Sequence, residues 1–122
     1  GVLEKPVHVS EVIMRVKKAL NVNHVRLIGD DGRMVGKAAV FSGSFDGNFT
    51  GIKWEGADVL VAGEVKYHDA VTAADEGICI IEAGHYATER IMAVRLAAVI
   101  RQKFSGIEVF CSACERDPFE IV

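Results

Sequence analysis

Three uninterrupted apolar runs, each separated from the next by a segment of helical length, constrain the fold of this chain most. The runs cover residues 58–62 (Asp-Val-Leu-Val-Ala), 78–81 (Ile-Cys-Ile-Ile) and 107–111 (Ile-Glu-Val-Phe-Cys). Apolar runs without alternation are typical of strands that are covered on both faces of a sheet. The intervening segments predict helices over about 67–76 and 86–104, and strands that alternate with helices indicate an α/β layered fold.

The first half of the chain adds two further strands and two further helices. Ser10 is a favourable N-cap, and the apolar residues after it recur at helical spacing, which predicts a helix over 10–20. Residues 24–28 and 35–41 read as strands, and the Gly-Asp-Asp-Gly segment at 29–32 between them is turn chemistry, so we expect a hairpin. A short helix ending near 55–56 follows the loop over 42–48. Together these patterns predict one α/β domain over residues 1–122, with a mixed sheet of about five strands and three to four helices.

Composition excludes several classes of protein. The formal net charge is −3, from 17 acidic and 14 basic residues, whereas nucleic-acid binding favours a basic face, so such a partner is not expected. No apolar run approaches the roughly 20 residues that a bilayer requires, and we expect no membrane association. Three cysteines are an odd number for a closed disulfide framework, which favours a reducing, cytoplasmic setting. Cys79 reads as a core thiol and the Cys111/Cys114 pair as incidental.

The long predicted helix carries one local contradiction. Its apolar stripe runs through Ala93, Leu96 and Ile100, and two steps of four residues back from Ala93 reach Glu89 and then His85. A carboxylate on the extension of an apolar face is costly to bury unless it is paired or bound to a metal. Histidine and glutamate at i and i+4 project from the same side of a helix and can converge on one cation. The alternative is that Glu89 complements the helix dipole and His85 caps the turn.

Two other candidates for chemistry lie upstream. His68 opens the predicted helix 67–76 directly after a strand, where substrates often meet an α/β sheet, and it is a candidate acid or base. A solvated helix start is the alternative. The segment 42–47 (Ser-Gly-Ser-Phe-Asp-Gly) is either an anion-binding loop that uses backbone N–H groups or a plain loop.

Four ordered segments resemble one known family. They are 84–90 (Gly-His-Tyr-Ala-Thr-Glu-Arg), 57–70 (Ala-Asp-Val-Leu-Val-Ala-Gly-Glu-Val-Lys-Tyr-His-Asp-Ala), 42–44 (Ser-Gly-Ser) and 117–119 (Asp-Pro-Phe). They resemble blocks of the Nif-three-like dinuclear metal family, also named as type 2 homologues of GTP cyclohydrolase I. The resemblance extends over 35–122 and corresponds to the C-terminal half of such proteins.

The resemblance implies a homo-oligomeric α/β protein with hydrolase-like chemistry at a two-metal centre. It implies His85 and Glu89 as metal ligands, two divalent ions (Zn, Fe or Mn) per complete site, and a nucleotide-like small molecule as substrate. The family's other ligands, a His pair and an Asp, belong to an N-terminal half, and this sequence has no His-His pair. We therefore expect an incomplete site that needs a missing N-terminal half or another subunit. The alternative is a non-catalytic oligomerisation or interaction module that keeps the fold without a complete metal site.

Overall fold

The computed structural model describes residues 1–120, except for the side chain of Trp54. Residues 121 and 122, which the predicted domain includes, lie outside the described part. The elements in chain order are β1 (Val2–His8), α1 (Val9–Leu20), β2 (Arg26–Ile28), β3 (Met34–Ser44), α2 (Phe49–Trp54), β4 (Val59–Glu64), α3 (Tyr67–Asp75), β5 (Cys79–Glu82) and α4 (His85–Lys103).

The five strands form one mixed sheet in the order β1-β3-β4-β5-β2. Strands β3, β4 and β5 are parallel, with Val59 of β4 opposite Cys79 of β5. Strands β1 and β2 are the edges, and each is antiparallel to its neighbour. The α/β fold, the five-stranded mixed sheet and the four helices confirm the fold predicted from the sequence.

The hydrophobic core lies on both faces of this sheet, which explains why the central strands are apolar without interruption. Along β4, Val59 and Val61 contribute to the cluster under α1, whereas Leu60 and Ala62 contribute to the cluster under α2 and α3. Successive side chains of a strand point to opposite faces. A strand that is buried on both faces therefore has an apolar residue at every position.

The predicted hairpin between the two early strands is wrong. Strand β2 pairs with β5, with Arg26 opposite Glu82, and it never pairs with β3. The antiparallel neighbour of β3 is β1, which the sequence patterns did not predict; His8 of β1 lies opposite Met34. Because β1 and β4 occupy both edges of β3, β2 has no place beside it, and it extends the other end of the sheet instead.

The predicted strand over 107–111 is also wrong. Residues 104–120 contain no helix and no strand, and Phe110 is exposed. The segment runs back along α4, where the Arg101 guanidinium donates to the carbonyl of Val109 at 2.6 and 2.9 Å. The free edge of β5 that a further parallel strand would need is already occupied by β2. Within the described residues, no helix is both long and apolar enough to cross a membrane.

Candidate metal-ligand pair at the start of helix α4

The candidate site lies at the edge of the sheet where the parallel strands end. Glu64 is the last residue of β4, Gly43 is the second-last residue of β3, and His85 begins α4 just after β5. The carboxyl ends of parallel strands meet at one edge, where α/β proteins commonly bind ligands. Residues that are 21 or more positions apart in the sequence thereby become neighbours.

His85 lies between two carboxylates. Its Nδ1 is 2.9 Å from Oε2 of Glu64, and its Nε2 is 3.2 Å from Oε1 of Glu89. The hydrogen bond to Glu64 is the largest cause that raises the pKa of His85 above its ordinary value of 6.5, and the negative charge of Glu89 acts in the same direction. The predicted His85–Glu89 proximity is therefore present, and the structure adds Glu64 to it.

This arrangement calls for a positive charge at Nε2. A neutral imidazole carries one N–H, so it donates to Glu64 or to Glu89 but not to both. When Nδ1–H donates to Glu64, the lone pair of Nε2 faces the Glu89 carboxylate, and a cation at that point makes the contact more favourable. That cation is either a second proton on the ring or a bound metal ion. A metal-ligating histidine typically donates its other N–H to a carboxylate, which is the role available to Glu64.

Two glycines bring the backbone of β3 close to the pair. Gly43 has φ +71°, and a Cβ there would contact Oε1 of Glu89 and approach Nε2 of His85 to 3.5 Å. At Gly63 a Cβ would lie 2.6 Å from the Gly43 carbonyl oxygen and 2.9 Å from the Gly43 nitrogen. A side chain at Gly43 would therefore displace the Glu89 carboxylate, and one at Gly63 would push β3, β4 and the first turn of α4 apart.

The hydroxyl of Thr88 connects the first turn of α4 to β3. It accepts a hydrogen bond from the Gly43 N–H at 3.1 Å and donates to the Gly84 carbonyl at 3.0 Å. The Ser42 hydroxyl donates to the Thr88 carbonyl at 3.0 Å. These hydrogen bonds fix the first turn of α4, which carries His85 and Glu89, against β3. It also follows that the Gly43 N–H is not free for an anion, which disfavours the anion-binding alternative for the 42–47 segment.

The predicted apolar stripe of α4 is not its buried face. Ala93 and Leu96 of that stripe are exposed, whereas the buried residues of α4 are Ala87, Thr88 and Ala97. The side chain of Glu89 is itself 56% exposed. Helix α4 packs its small residues onto the sheet, because these allow a close approach, and it turns its large apolar residues outward.

His68 lies exposed in the first turn of α3. Its ring forms a T-shaped pair with the Tyr67 ring at a centroid distance of 5.8 Å. It shares the sheet edge with His85 but is not among the side chains that contact it. Glu64 is the site residue that the sequence patterns missed. The only local signal was a charge closing an apolar strand, which many strands have.

The donors fit a partial metal site. His85 and Glu89 are exposed, adjacent and of types that ligate Zn or Fe, but a catalytic metal usually needs three protein ligands. Within residues 1–120, no group of three or more His, Cys, Asp or Glu side chains is arranged to hold a metal ion. His85 and Glu89 are therefore two candidate ligands, fewer than a complete catalytic site needs.

Comparison with known proteins gives a family and its relatives. The model of the Duf34/NIF3 (NGG1p interacting factor 3) family matches residues 1–118. A Bacillus subtilis protein named GTP cyclohydrolase 1 type 2 homolog is 35% identical over 123 residues, which cover 98% of this chain and 33% of that protein. A Clostridium perfringens protein of the same name is 29% identical and is matched over 46% of its length by 98% of this chain.

Two solved structures resemble the whole chain. The crystal structure of a Staphylococcus aureus protein superposes with a TM-score of 0.89 at 28% identity, covering 99% of this chain and 36% of that one. A Bacillus cereus protein related to NIF3 superposes with a TM-score of 0.81 at 28% identity, covering 100% of this chain and 34% of that one. The chain thus spans between a third and a half of the length of these relatives.

Proposed function

The chain belongs to the Duf34/NIF3 family, and we propose that it supplies His85 and Glu89 as two ligands of a dinuclear divalent-metal centre with hydrolase-like chemistry. The observation that carries the proposal is the pair of carboxylates around His85, with Nε2 facing Glu89 at 3.2 Å, where both groups favour a cation beside them. Zn, Fe and Mn are the candidate ions, two in each complete site.

Each residue has a distinct role in this proposal. Glu64 accepts a hydrogen bond from Nδ1–H of His85 and thereby keeps Nε2 directed at the metal position. The Glu89 carboxylate would hold metal next to His85. A pair of metal ions supplies Lewis acidity and lowers the pKa of bound water, which suits hydrolysis of a nucleotide-like small molecule. His68, at the start of α3 on the same sheet edge, is the proposed proton donor or acceptor for that reaction.

The remaining ligands come from a second polypeptide region, which is either the complementary half of a longer protein or another copy in a homo-oligomer. Two ligands fall short of the three that a catalytic site needs. The relatives named GTP cyclohydrolase 1 type 2 homolog are two to three times as long as the matched segment. The outward face of α4 also supports a covering partner, because its large apolar side chains are exposed: Ile91, Met92, Val94, Leu96 and Val99.

The same exposed face favours a second candidate function. A contiguous apolar surface on a helix is typical of a protein–protein contact. In this alternative the chain is a non-catalytic oligomerisation or interaction module, and the His85–Glu89 pair holds no metal in its assembled form.

Metal content separates the two functions. A chimera in which this chain replaces the matching segment of the Bacillus subtilis relative should hold about two divalent ions per chain by elemental analysis. The substitutions Glu89→Gln and His85→Gln should each reduce that content, because each removes a ligand. Glu4→Gln, at an exposed glutamate of β1, is the matched control and should leave it unchanged.

Three results would contradict the metal-centre proposal. If Glu89→Gln in the chimera retains all of its metal, Glu89 is not a ligand. If the unassembled 122-residue chain already binds Zn²⁺ stoichiometrically and tightly in a calorimetric titration, its ligands are complete without a second region. A chimera that assembles with no metal at all would favour the interaction module.

A further inference from the structure

A cavity of about 420 Å³ opens beside the candidate metal-ligand pair, between the edge strand β2 and the start of α3. Its volume lies in the range of small-molecule sites, roughly 300–1,000 Å³. One of its walls is Glu64, the residue that holds His85. A larger groove of about 590 Å³ elsewhere shares no residue with the pair or its contacts. The smaller cavity is therefore the one placed to serve the same site.

A buried carboxylate orients a cation at the mouth of this cavity. The side chain of Glu82 is 8% exposed, and its Oε1 accepts from the Val65 N–H at 3.4 Å and from Nη2 of Arg26. The Arg26 side chain is 71% exposed, although one of its nitrogens is engaged. A guanidinium has five N–H donors in a rigid fork, so most of them remain free for an anion.

The rest of the lining includes apolar side chains, a second cation and an aromatic ring. Ile28, Val65 and Ala70 form apolar wall, and Lys66 adds a second positive charge that makes no ion pair within residues 1–120. The ring of Tyr67 is 78% exposed at the rim. An exposed aromatic ring next to apolar wall offers a surface for another planar group.

Each carboxylate of the cavity already accepts a hydrogen bond within the chain, although the Glu64 side chain is 51% exposed. Glu82 is paired with Arg26, and Glu64 is paired with His85. The groups left to face a ligand are the outer donors of Arg26, the ammonium of Lys66 and the Tyr67 ring. They match a ligand with a planar body and one negatively charged group.

We propose that this cavity binds a small aromatic anion, with its carboxylate or phosphate on Arg26 and its ring between Tyr67 and the apolar wall at Ile28. The ligand thereby lies next to the His85–Glu89 pair, so the inference deepens the proposed function by naming the chemical class of its substrate. Binding itself uses no metal, because neither His85 nor Glu89 lines the cavity.

The test uses the metal-free 122-residue chain and three probes that share a phenyl ring. Benzoate and phenyl phosphate carry the negative group, and benzamide is the neutral control. In ¹⁵N-labelled protein, both anions should shift the amide signals of residues 26–28 and 65–70, and benzamide should bind at least tenfold more weakly. The stronger of the two anions identifies whether carboxylate or phosphate is preferred.

Substitutions locate the binding groups. Arg26→Lys keeps the charge that pairs with Glu82 but loses the fork, and it should weaken anion binding about tenfold. Arg15→Gln removes an exposed arginine that is likewise paired with one glutamate, Glu11, on α1, and it should have no effect. Ala70→Leu fills the cavity without a change of charge and should abolish binding of both anions. This variant also keeps the test decisive if Arg26→Lys fails to fold.

Three outcomes would overturn the inference: benzamide binding as tightly as benzoate, Arg15→Gln weakening binding as much as Arg26→Lys, or anion binding that survives Ala70→Leu. Glu89→Gln separates this proposal from the metal centre. It should leave benzoate binding to the metal-free chain unchanged while it removes metal from the chimera. Loss of benzoate binding in Glu89→Gln would show that the anion lies elsewhere and would also overturn the cavity assignment.

Discussion

The substitution Gly63→Ala tests the junction that positions the candidate ligand pair. Gly63 is buried near the end of β4, and an added Cβ would overlap the Thr88 hydroxyl and lie 2.6 and 2.9 Å from the carbonyl oxygen and nitrogen of Gly43. Two of these three atoms belong to the backbone of the neighbouring strand. They move only if β3 and β4 separate or if the first turn of α4 shifts.

The cost follows from these contacts. Overpacking of a close-packed interior costs about 1–3 kcal/mol, and displacement of Thr88 weakens its 3.1 Å bond from the Gly43 N–H, a net loss of about 0.5–1.5 kcal/mol. We therefore expect Gly63→Ala to lower the free energy of unfolding by about 2–4 kcal/mol. This is a large part of the roughly 5–15 kcal/mol typical of a domain.

Equilibrium urea denaturation followed by far-ultraviolet circular dichroism measures this difference. Gly51→Ala is the matched control, because Gly51 lies in α2 with no heavy atom within 4 Å of an added Cβ. There the same substitution should stabilise the chain by about 0.5–1 kcal/mol, since alanine loses less conformational entropy than glycine in a helix. A Gly63→Ala variant within 0.5 kcal/mol of the original chain would refute the proposed junction and its packing against α4.

Three further predictions follow from other contacts. The pKa of His85 is raised above 6.5 chiefly by its hydrogen bond to Glu64. The stability that His85 contributes is therefore fully present below about pH 6.5 and is lost as the pH rises through its folded-state pKa. Glu64→Gln should lower that pKa in an NMR titration and reduce the change of the urea-unfolding free energy with pH. Asp58 Oδ2 accepts two backbone N–H groups of β3 at 2.8 Å, so Asp58→Ala should cost about 1–3 kcal/mol of unfolding free energy, whereas Asp31→Ala, at an exposed turn, should change it by less than about 0.5 kcal/mol. Because Glu89 is exposed, Glu89→Leu should alter the stability of the unassembled chain by no more than about 0.5 kcal/mol; a loss above 2 kcal/mol would reveal a structural partner for its carboxylate.

Local patterns were sufficient for the central elements. The uninterrupted apolar runs at 58–62 and 78–81 match β4 and β5, and the helical spacing after Ser10 matches α1. These inferences succeed because an element buried on both faces, or on one helical stripe, records its burial in its own residues. The i, i+4 spacing of His85 and Glu89 likewise fixes their proximity on any regular helix, which the 3.2 Å contact bears out.

Inferences that depended on pairing partners failed. The Gly-Asp-Asp-Gly turn at 29–32 permits a hairpin, but β1 occupies the place that β2 would have needed. The apolar run at 107–111 has the composition of a strand and yet lies outside the sheet, since β2 already covers β5. A strand's neighbour is chosen by competition among distant segments, and no short window of sequence contains all the competitors.

The residues of this chain, taken by themselves, determined its layered α/β class and the two adjacent donors on α4, because helical and extended periodicities are properties of a local segment. Only the tertiary structure decided that Glu64 would hold His85, that Gly43 would let Glu89 lie against β3, and that the large apolar side chains of α4 would face outward. These features arise where separate strands end at a shared edge of the sheet. The order of strands across the sheet, which long-range packing selects, decides which residues meet there.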